Sequence, residues 1–296
     1  MHKSVLLKES IDGLDIQTGD VFFDATVGAG GHSEEVARRF GNDVRIVGTD
    51  ADKEAIERAS ARVRKTGVVP TYVVGNYRIA KDLLRGAGIM SVNRSLFDAG
   101  FSSDQLDSSG RGFSFLKDEP LLMTFESEPT EESMTARDIV NSWDEKNIAT
   151  ILFSYGEERF ARRIAKGIVE AREKKPIETT FELVQVIVDS VPKVYAKGRI
   201  HPATRTFQAL RITVNNELTG IEEGLRGIME ITKPGGRIAF ISFHSLEDRI
   251  VKRLFREFAQ DEKGILITKK PLVPDNNEIN ENPRSRSAKL RIIQKI

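Results

Sequence analysis

The stretch Val21-Phe-Phe-Asp24-Ala-Thr-Val-Gly28-Ala-Gly30-Gly31-His32 decides the fold of this chain. Its first residues are typical of a short buried strand, and its three glycines allow the backbone to turn tightly and approach a ligand closely. A helix is expected to begin near His32. The next apolar run, Arg45-Ile-Val-Gly-Thr-Asp50, ends on a carboxylate that is suited to accept hydrogen bonds from both hydroxyls of a ribose. This pattern predicts the adenosine-binding half of a doubly wound α/β fold.

The glycine loop also indicates which cofactor it holds. A plain tight turn at a helix start is the structural alternative for the loop taken alone. The loop reads GxGG and lacks the third glycine of the dinucleotide fingerprint. Asp24 precedes it, and a carboxylate there disfavours a pyrophosphate but suits a cofactor with a cationic amino-acid end. S-adenosylmethionine is therefore favoured over NAD, with Asp24, Gly28 and Asp50 in its pocket.

The composition excludes several classes of protein. The chain has 296 residues, no cysteine, four histidines and a formal net charge of +1. Disulfides, thiolate metal sites and cysteine nucleophiles are thereby excluded, and no metal is expected. No apolar run approaches the roughly 18 residues of a membrane span, and a secretory signal is absent, so a cytoplasmic protein without membrane contact is expected.

Charge is distributed unevenly along the middle of the chain. Acids outnumber bases over residues 115–150, whereas bases dominate over residues 155–211. Because the net charge provides no general attraction for nucleic acid, binding of that kind must come from such local patches. Solvated helix faces are the structural alternative.

Strand-like and helical runs alternate up to Asp98, which predicts a parallel βαβ series. The strands are expected at residues 21–25, 44–50, 71–75 and 95–98, and the sheet resumes at 237–242 after a turn at Lys233-Pro-Gly-Gly236. The residues between have helical periodicity, with helix caps at Thr135, Asp144 and Thr180 and a last helix over 204–232. Ser245 is expected to cap the helix that follows the resumed strand. A hairpin-like end is expected at 264–268 and 288–293.

This pattern predicts three segments along the chain. Residues 1–104 and 213–296 form the α/β domain, and residues 105–212 form a helical insertion for substrate recognition. The insertion follows the carboxyl edge of the sheet, where ligands of open α/β sheets bind, so it is expected to form the other wall of the cleft.

The tetrapeptide Asp98-Ala-Gly-Phe101 resembles the Asp-Pro-Pro-Tyr motif of amino-group methyltransferases. Methyl transfer to the exocyclic amine of a base requires an acceptor for an amine hydrogen and a flat apolar face for the base. Asp98 and Phe101 are predicted to fill these catalytic roles, although a strand end with a core phenylalanine is the alternative. His244 is a third candidate, and a satisfied histidine at a helix entrance stays open beside it.

A series of blocks in a fixed order is more specific than any one loop. The blocks are Asp24-Ala-Thr-Val-Gly-Ala-Gly-Gly-His32-Ser, Gly100-Phe-Ser-Ser-Asp-Gln-Leu-Asp107, Arg111-Gly-Phe-Ser-Phe115, Tyr155-Gly-Glu-Glu-Arg-Phe160, His201-Pro-Ala-Thr-Arg-Thr-Phe-Gln-Ala-Leu-Arg211, Asn215 with Glu217-Leu, and Ile241-Ser-Phe-His-Ser-Leu-Glu-Asp-Arg249. Through them the chain resembles, nearly end to end, the bacterial 16S rRNA (cytosine-N4)-methyltransferase family. The resemblance implies a Rossmann-like class I S-adenosylmethionine-dependent methyltransferase with a mostly parallel doubly wound sheet and an all-α insertion after the fourth strand. Its implied substrate is N4 of a cytidine in the decoding region of small-subunit rRNA. The 30S particle is the expected partner, and naked rRNA stays open as the alternative.

The resemblance also implies roles for individual residues. Gly30, Gly31 and His32 would meet the methionine part of the cofactor, Asp50 its ribose and Tyr77 its adenine, while Asp98 and Gln105 complete the cofactor site. The predicted substrate-binding residues are Ser102, Ser103, Arg111, Phe113, Phe115, Arg205, Gln208, Arg211 and Asn215. For the guanidinium groups at 205 and 211, an ion pair with Glu157 or Glu158 is the structural alternative to RNA phosphate.

Two segments depart from the family pattern. Asn93-Arg-Ser-Leu-Phe-Asp98 replaces Asp-Gly-Ile-Leu-x-Asp, and Leu122-Met-Thr-Phe125 lacks an acid and an arginine expected in the loop over the substrate. Two rival functions therefore stay open. One is a DNA or small-molecule amino methyltransferase, and the other is a non-catalytic or altered-specificity homologue that binds S-adenosylmethionine and RNA. A homodimer also stays open.

Overall fold

A computed structural model describes residues 3–99, 109–126, 129–130, 133–198 and 200–296. The chain divides into two compact units. One, the sheet unit, comprises Met1–Gly100 with Leu218–Ile296, and the other, the helical unit, comprises Phe101–Glu217. The predicted domain boundaries at 104/105 and 212/213 stay a prediction.

The described elements alternate between strand and helix at both ends of the chain and are helical in the middle. The strands are β1 Val21–Asp24, β2 Arg45–Asp50, β3 Thr71–Val74, β4 Val92–Asp98, β5 Thr232–Ser242, β6 Gly264–Leu266 and β7 Lys289–Lys295. The helices are α1 Leu7–Leu14, α2 Gly31–Phe40, α3 Lys53–Arg64, α4 Ala80–Gly86, α5 Ala136–Ser142, α6 Glu145–Ser154, α7 Ala161–Arg172, α8 Thr180–Ser190, α9 Lys193–Ala196, α10 Ala203–Val214, α11 Glu217–Ile231, α12 Ser245–Gln260 and α13 Asn276–Glu281. Short 3₁₀ turns lie at Gly41–Asp43, Tyr77–Ile79 and Pro283–Ser287.

All strands belong to one sheet of order β3-β2-β1-β4-β5-β7-β6. The first five run parallel, and β7 is antiparallel to both β5 and β6, which confirms the hairpin-like end. The strand order reverses between β1 and β4, and ligands of such sheets bind at the carboxyl ends of the strands beside that switch point. Asp24 and Asp98 are the last residues of these two strands.

Both faces of the sheet are covered, because successive side chains of a strand point to opposite faces. Phe22 packs with Ile46 and Leu96 in one apolar cluster, to which α1 and α2 contribute. Phe23 packs on the other face in a second cluster, together with residues of α4, α11 and α12. This two-sided burial confirms the predicted doubly wound fold.

Two expectations at the return to the sheet need correction. Strand β5 begins at Thr232 rather than at 237, and the predicted turn is an irregularity inside the strand. The register against β4 shifts there, and Gly235 adopts a φ of +76°, which a side chain would disfavour. The helix expected over 204–232 is two helices, because Asn216 has a φ of +48° and interrupts it.

Four predicted helix caps have different outcomes. Thr135 forms a capping box with Asp138, and Asp144 caps α6, as predicted. The cap of α8 is Thr179 rather than Thr180, because the Thr180 hydroxyl donates instead to the carbonyl of Lys117. The cap of α12 is His244 rather than Ser245. Both errors are one residue long and reflect which residue of the pair has extended backbone angles.

The helical unit has an apolar core of its own, to which α5, α6, α7, α8 and α10 contribute. In the described part of this unit, the only β-type pairing is an isolated bridge between Pro120 and Thr179. The prediction of a helical insertion is therefore confirmed. Across the described ranges, none of the helices is both long and apolar enough to traverse a bilayer.

Candidate active site

The glycine loop after β1 has the geometry that its sequence predicts. Gly28 and Gly30 adopt φ values of +50° and +76°, in the left-handed region. The Gly28 amide donates to Asp50 Oδ2 at 2.8 Å, which joins the loop to the end of β2. A Cβ on Gly30 would lie 2.9 Å from Cβ of Ala59 on α3. The loop is therefore closely packed against α3 and tied to the end of β2.

Asp24 is a buried carboxylate beneath this loop. It accepts hydrogen bonds from the Ser33 hydroxyl at 2.8 Å and the Thr26 amide at 3.3 Å. Burial raises the pKa of Asp24 to about 6, against the combined effect of those two hydrogen bonds, and Asp50 raises it further. The pKa of Asp50 is also raised by burial.

Asp98 occupies the neighbouring strand end. Its amide donates to Thr26 Oγ1 at 2.7 Å, and its Oδ2 lies 3.7 Å from Nδ1 of His32. The other oxygen, Oδ1, is buried and has no hydrogen-bond partner among the described residues. Burial, Asp24 and Glu247 raise the pKa of Asp98 well above its ordinary value. A buried carboxylate oxygen without a partner is costly, so its presence here points to a ligand.

This part of the sheet unit is electrostatically suited to a cation. Within the described ranges, neither Asp24 nor Asp98 forms an ion pair with lysine or arginine. A positively charged ligand would favour the ionised form of both carboxylates and offset their burial. The residues present therefore fit the sulfonium and ammonium groups of S-adenosylmethionine better than a pyrophosphate.

His32 and Tyr77 are held in place by contacts within the sheet unit. Nε2 of the buried His32 lies 3.2 Å from the carbonyl oxygen of Val5. The Tyr77 ring packs edge-on against Phe97, with centroids 5.8 Å apart. A Cβ on Gly224 of α11 would lie 2.9 Å from that ring, so Gly224 makes room for it. Contact of either residue with the cofactor stays a prediction.

His244 serves first as a helix cap. Its Nδ1 accepts from the Glu247 amide at 3.4 Å, and its Nε2 lies 3.1 Å from Glu247 Oε1. Glu247 is buried and also accepts from the Phe243 amide at 2.7 Å. These contacts favour the structural alternative for His244, and its catalytic role stays a prediction.

In the helical unit, several predicted substrate residues shape the segment 123–125. Buried Arg111 donates from Nη1 to the carbonyl oxygens of Thr124 and Phe125, at 3.2 and 2.8 Å. Asn215 accepts from the Phe125 amide and donates to the carbonyl of Met123, both at 2.8 Å. The departure from the family pattern at 122–125 therefore lies in a well-anchored segment.

The aromatic candidates of this unit have ring partners within it. Phe113 stacks on Phe125 with centroids 5.8 Å apart, and Phe115 stacks on His201 at 4.8 Å. Phe101, Ser102, Ser103 and Gln105 lie outside the described residues.

The polar candidates on α10 make contacts within the unit. Arg205 donates to the Glu157 carbonyl at 3.1 Å, and Gln208 donates to the Tyr155 carbonyl at 3.0 Å. Arg211 is buried and forms a two-pronged ion pair with Glu217, at 2.7 and 2.9 Å. Arg211 therefore forms a structural ion pair, as the alternative to RNA binding predicted, but its partner is Glu217 rather than Glu157 or Glu158. Phosphate binding by these three residues stays a prediction.

Sequence reasoning missed two residues that position the acids, Thr26 and Ser33. Thr26 holds the Asp98 amide, and Ser33 holds the Asp24 carboxylate. A serine in the first turn of the helix after the glycine loop was the available signal. No sequence signal marked Thr26, because its partner, the Asp98 amide, lies 72 residues away in the chain.

Replacing Asp24 with asparagine should stabilise the fold at neutral pH while weakening cofactor binding. The pKa of this carboxyl group is about 6 in the folded protein, against 3.8 for an ordinary aspartate. The fold therefore loses stability as the pH rises from about 4 to 6. The free energy of unfolding of Asp24→Asn should therefore exceed that of the wild type by roughly 3 kcal/mol at pH 7, and by almost nothing at pH 4. Urea denaturation at both pH values measures this difference. The exposed control Asp43→Asn should show no such change, and a pH-independent difference for Asp24→Asn would refute the assignment.

The sheet topology and the acidic, glycine-lined site define a Rossmann-like, S-adenosylmethionine-dependent methyltransferase. The chain belongs to the MraW methylase family, whose profile matches residues 1–296. It is 44% identical over 310 residues to the ribosomal RNA small subunit methyltransferase H of Carboxydothermus hydrogenoformans, covering 100% of this chain and 98% of that protein. It is 40% identical to the enzyme of the same name from Brevibacillus brevis, with the same coverage. An rRNA methylase structure from Streptococcus thermophilus aligns over 100% of this chain and 99% of its own, with a TM-score of 0.46 and 10% identity.

Proposed function

We propose that this protein methylates N4 of a cytidine in the 16S rRNA of the small ribosomal subunit, with S-adenosylmethionine as methyl donor. Family membership and full-length similarity to small-subunit rRNA methyltransferases support the reaction and its substrate class. The observation of this chain that carries the proposal is the buried Oδ1 of Asp98 at the switch point of the sheet, which has no hydrogen-bond partner among the described residues.

The residues at the strand ends have separate tasks in this proposal. The loop at Gly28 and Gly30 would hold the amino-acid part of the cofactor, and Asp50 would bind the ribose. S-adenosylmethionine supplies an electrophilic methyl group when bound. Asp98 accepts a hydrogen bond from the cytosine amine and orients its lone pair, and takes the proton that the amine loses. Because that lone pair is conjugated with the ring, positioning and desolvation contribute more than a strong base would.

We further propose that the assembled small-subunit particle is the substrate, with the cytidine turned out of its stack. Phe101 or Phe115 would pack on the extruded base, and the basic half of the insertion would hold phosphates. The comparisons give no support to a homodimer, and none enters the proposal.

Competition between substrates tests this function against its rivals. Tritiated methyl transfer to small subunits that lack the modification should proceed, and an excess of DNA or free cytidine should not reduce it. Strong inhibition by DNA or free cytidine would favour the rival amino methyltransferase. Absence of both transfer and calorimetrically detectable S-adenosylmethionine binding would favour the non-catalytic homologue.

A further inference from the structure

The helical unit carries a compact group of stacked cations and rings that the proposed active site does not use. The Arg159 guanidinium carbon lies 4.9 Å from the ring centre of Phe160 and 4.6 Å from that of Tyr195. Arg163, one turn further along, lies 5.9 Å from the Phe160 ring on the same helix. The two rings contact each other edge-on, with centroids 4.8 Å apart. We call Arg159, Phe160, Arg163 and Tyr195 the cation–ring cluster.

A buried carboxylate holds this cluster in place. Glu158 has no exposed surface and accepts from the Phe160 amide at 2.8 Å and from the Tyr195 hydroxyl at 2.6 Å. Arg159 directly follows Glu158 in the chain. The hydrogen bonds of Glu158 therefore fix the backbone that carries the Arg159 guanidinium. A rigid stack of this kind loses little conformational entropy when a ligand binds.

Close packing of two helices brings the two halves of the cluster together. A Cβ on Gly167 of α7 would lie 2.0 Å from Ser190 Oγ at the end of α8, so the helices approach closely there. Tyr195, on the next short helix, is thereby set against Phe160 at the start of α7. A larger residue at 167 would displace at least the Ser190 hydroxyl.

Further cations surround the cluster with few acids to neutralise them. Arg162 and Lys166 lie on the exposed side of α7, and Lys193 and Lys197 flank Tyr195. Among the described residues, Lys166 pairs with Glu170 at 3.5 Å, whereas Arg159, Arg162 and Arg163 form no ion pair. Guanidinium groups already stacked on rings still direct their N–H edges outward, where they suit phosphate oxygens.

We propose that the cation–ring cluster is a docking surface for a single-stranded segment of rRNA, made of residues other than those assigned to the target cytidine. The guanidinium edges would bind consecutive phosphates, and the flat faces of Arg159 and Tyr195 would stack on an unpaired base. Opposite charge and stacking together favour RNA over an acidic protein segment, which offers no bases. This inference rests on the proposed function, because it assigns a second contact to the same substrate.

The double variant Arg159→Ala with Arg163→Ala tests the docking surface. Its KM for small subunits should rise at least tenfold, and its log Kd for protein-free 16S rRNA should depend on log salt with a slope reduced by about 1.5. The variant Arg159→Lys keeps the charge but not the planar stack, so it should lose part of this affinity. The matched control Lys117→Ala with Lys146→Ala removes two exposed cations of the same unit that lie outside its basic half, and should behave as the wild type.

Calorimetric affinity for S-adenosylmethionine should stay at the wild-type value in all these variants, and an unchanged urea denaturation curve shows that the helical unit, which has its own core, still folds. An unchanged KM and salt slope in the double variant, with active wild type, would overturn the docking surface and leave the proposed function intact. Weaker binding to the particle with unchanged binding to protein-free rRNA would also overturn it, because the partner would then be a protein. If the wild-type protein itself transferred no methyl group to small subunits, the proposed function would be contradicted instead.

Discussion

Replacing Asp98 with asparagine is expected to lower kcat for methyl transfer by roughly 10²- to 10⁴-fold. The amide keeps the size of the side chain, but it can neither take the amine proton nor present a second acceptor oxygen in place of Oδ1. Asp98 Oδ1 is buried without a partner in the described part of the chain, so a bound amine would be its first. Single-turnover transfer to small subunits at saturating S-adenosylmethionine measures the effect on the chemical step.

A control on the same strand separates this role from general damage to the sheet. Ser95 is buried on β4, and its hydroxyl has no hydrogen-bond partner among the described residues. Ser95→Ala should therefore transfer methyl groups within about twofold of the wild-type rate. Asp98→Asn transferring at the wild-type rate would remove Asp98 from the mechanism.

The second large effect concerns stability. Arg94→Met should lower the free energy of unfolding by about 3–5 kcal/mol, because it leaves Asp20 buried and unpaired. Arg94 Nε lies 2.8 Å from Asp20 Oδ2, and both side chains are about nine-tenths buried. Arg94 also donates to the carbonyl of Gly235 at 2.9 Å. Urea denaturation at pH 7 measures the loss.

Two further variants decide whether charge burial is the cause. Adding Asp20→Asn to Arg94→Met removes the unpaired charge and should recover much of the loss, since the Gln17 amide that Asp20 binds keeps an acceptor. Arg38→Met removes an exposed cation from Glu35, which keeps Arg39 as its partner, and should change stability by less than about 1 kcal/mol. A small loss in Arg94→Met, equal to that in Arg38→Met, would contradict the prediction.

This ion pair also explains one departure from the family pattern. Asn93 and Arg94 lie near the amino end of β4, whereas the candidate active site lies at its carboxyl end. Asn93 accepts from the Val21 amide at 3.1 Å, and Arg94 neutralises Asp20. The substitutions therefore stabilise the base of the sheet, and the strand end at Asp98 is formed independently of them.

The cofactor half of the site could be predicted from sequence because its residues are local to strand ends. Short, almost continuous apolar runs marked β1 and β2, and the residues at the ends of buried parallel strands meet at one edge of the sheet. The acids at 24, 50 and 98 therefore needed no knowledge of tertiary contacts. Thr26 and Ser33 were missed because their partners are set by how strands and helix pack.

The substrate half could not be predicted to the same depth, because spacing on a helix does not reveal a buried partner. The spacing of Arg205, Gln208 and Arg211, three residues apart, predicts that they share one face of a helix. The helical conformation is interrupted at Asn216, which has a left-handed backbone. This interruption allows the Glu217 side chain to pair with Arg211. The break between α10 and α11 makes this ion pair possible. The helical periodicity of the sequence continues across the break and therefore does not predict it.

Nucleoside analysis of methylated rRNA tests the central claim most directly. Small subunits that lack the modification would be incubated with the protein and tritiated S-adenosylmethionine, and their 16S rRNA digested to nucleosides. The account predicts that the label appears in N4-methylcytidine, from a single position in the decoding region. Label in 5-methylcytidine or in a methylated purine, or no label from protein that binds the cofactor, would contradict it.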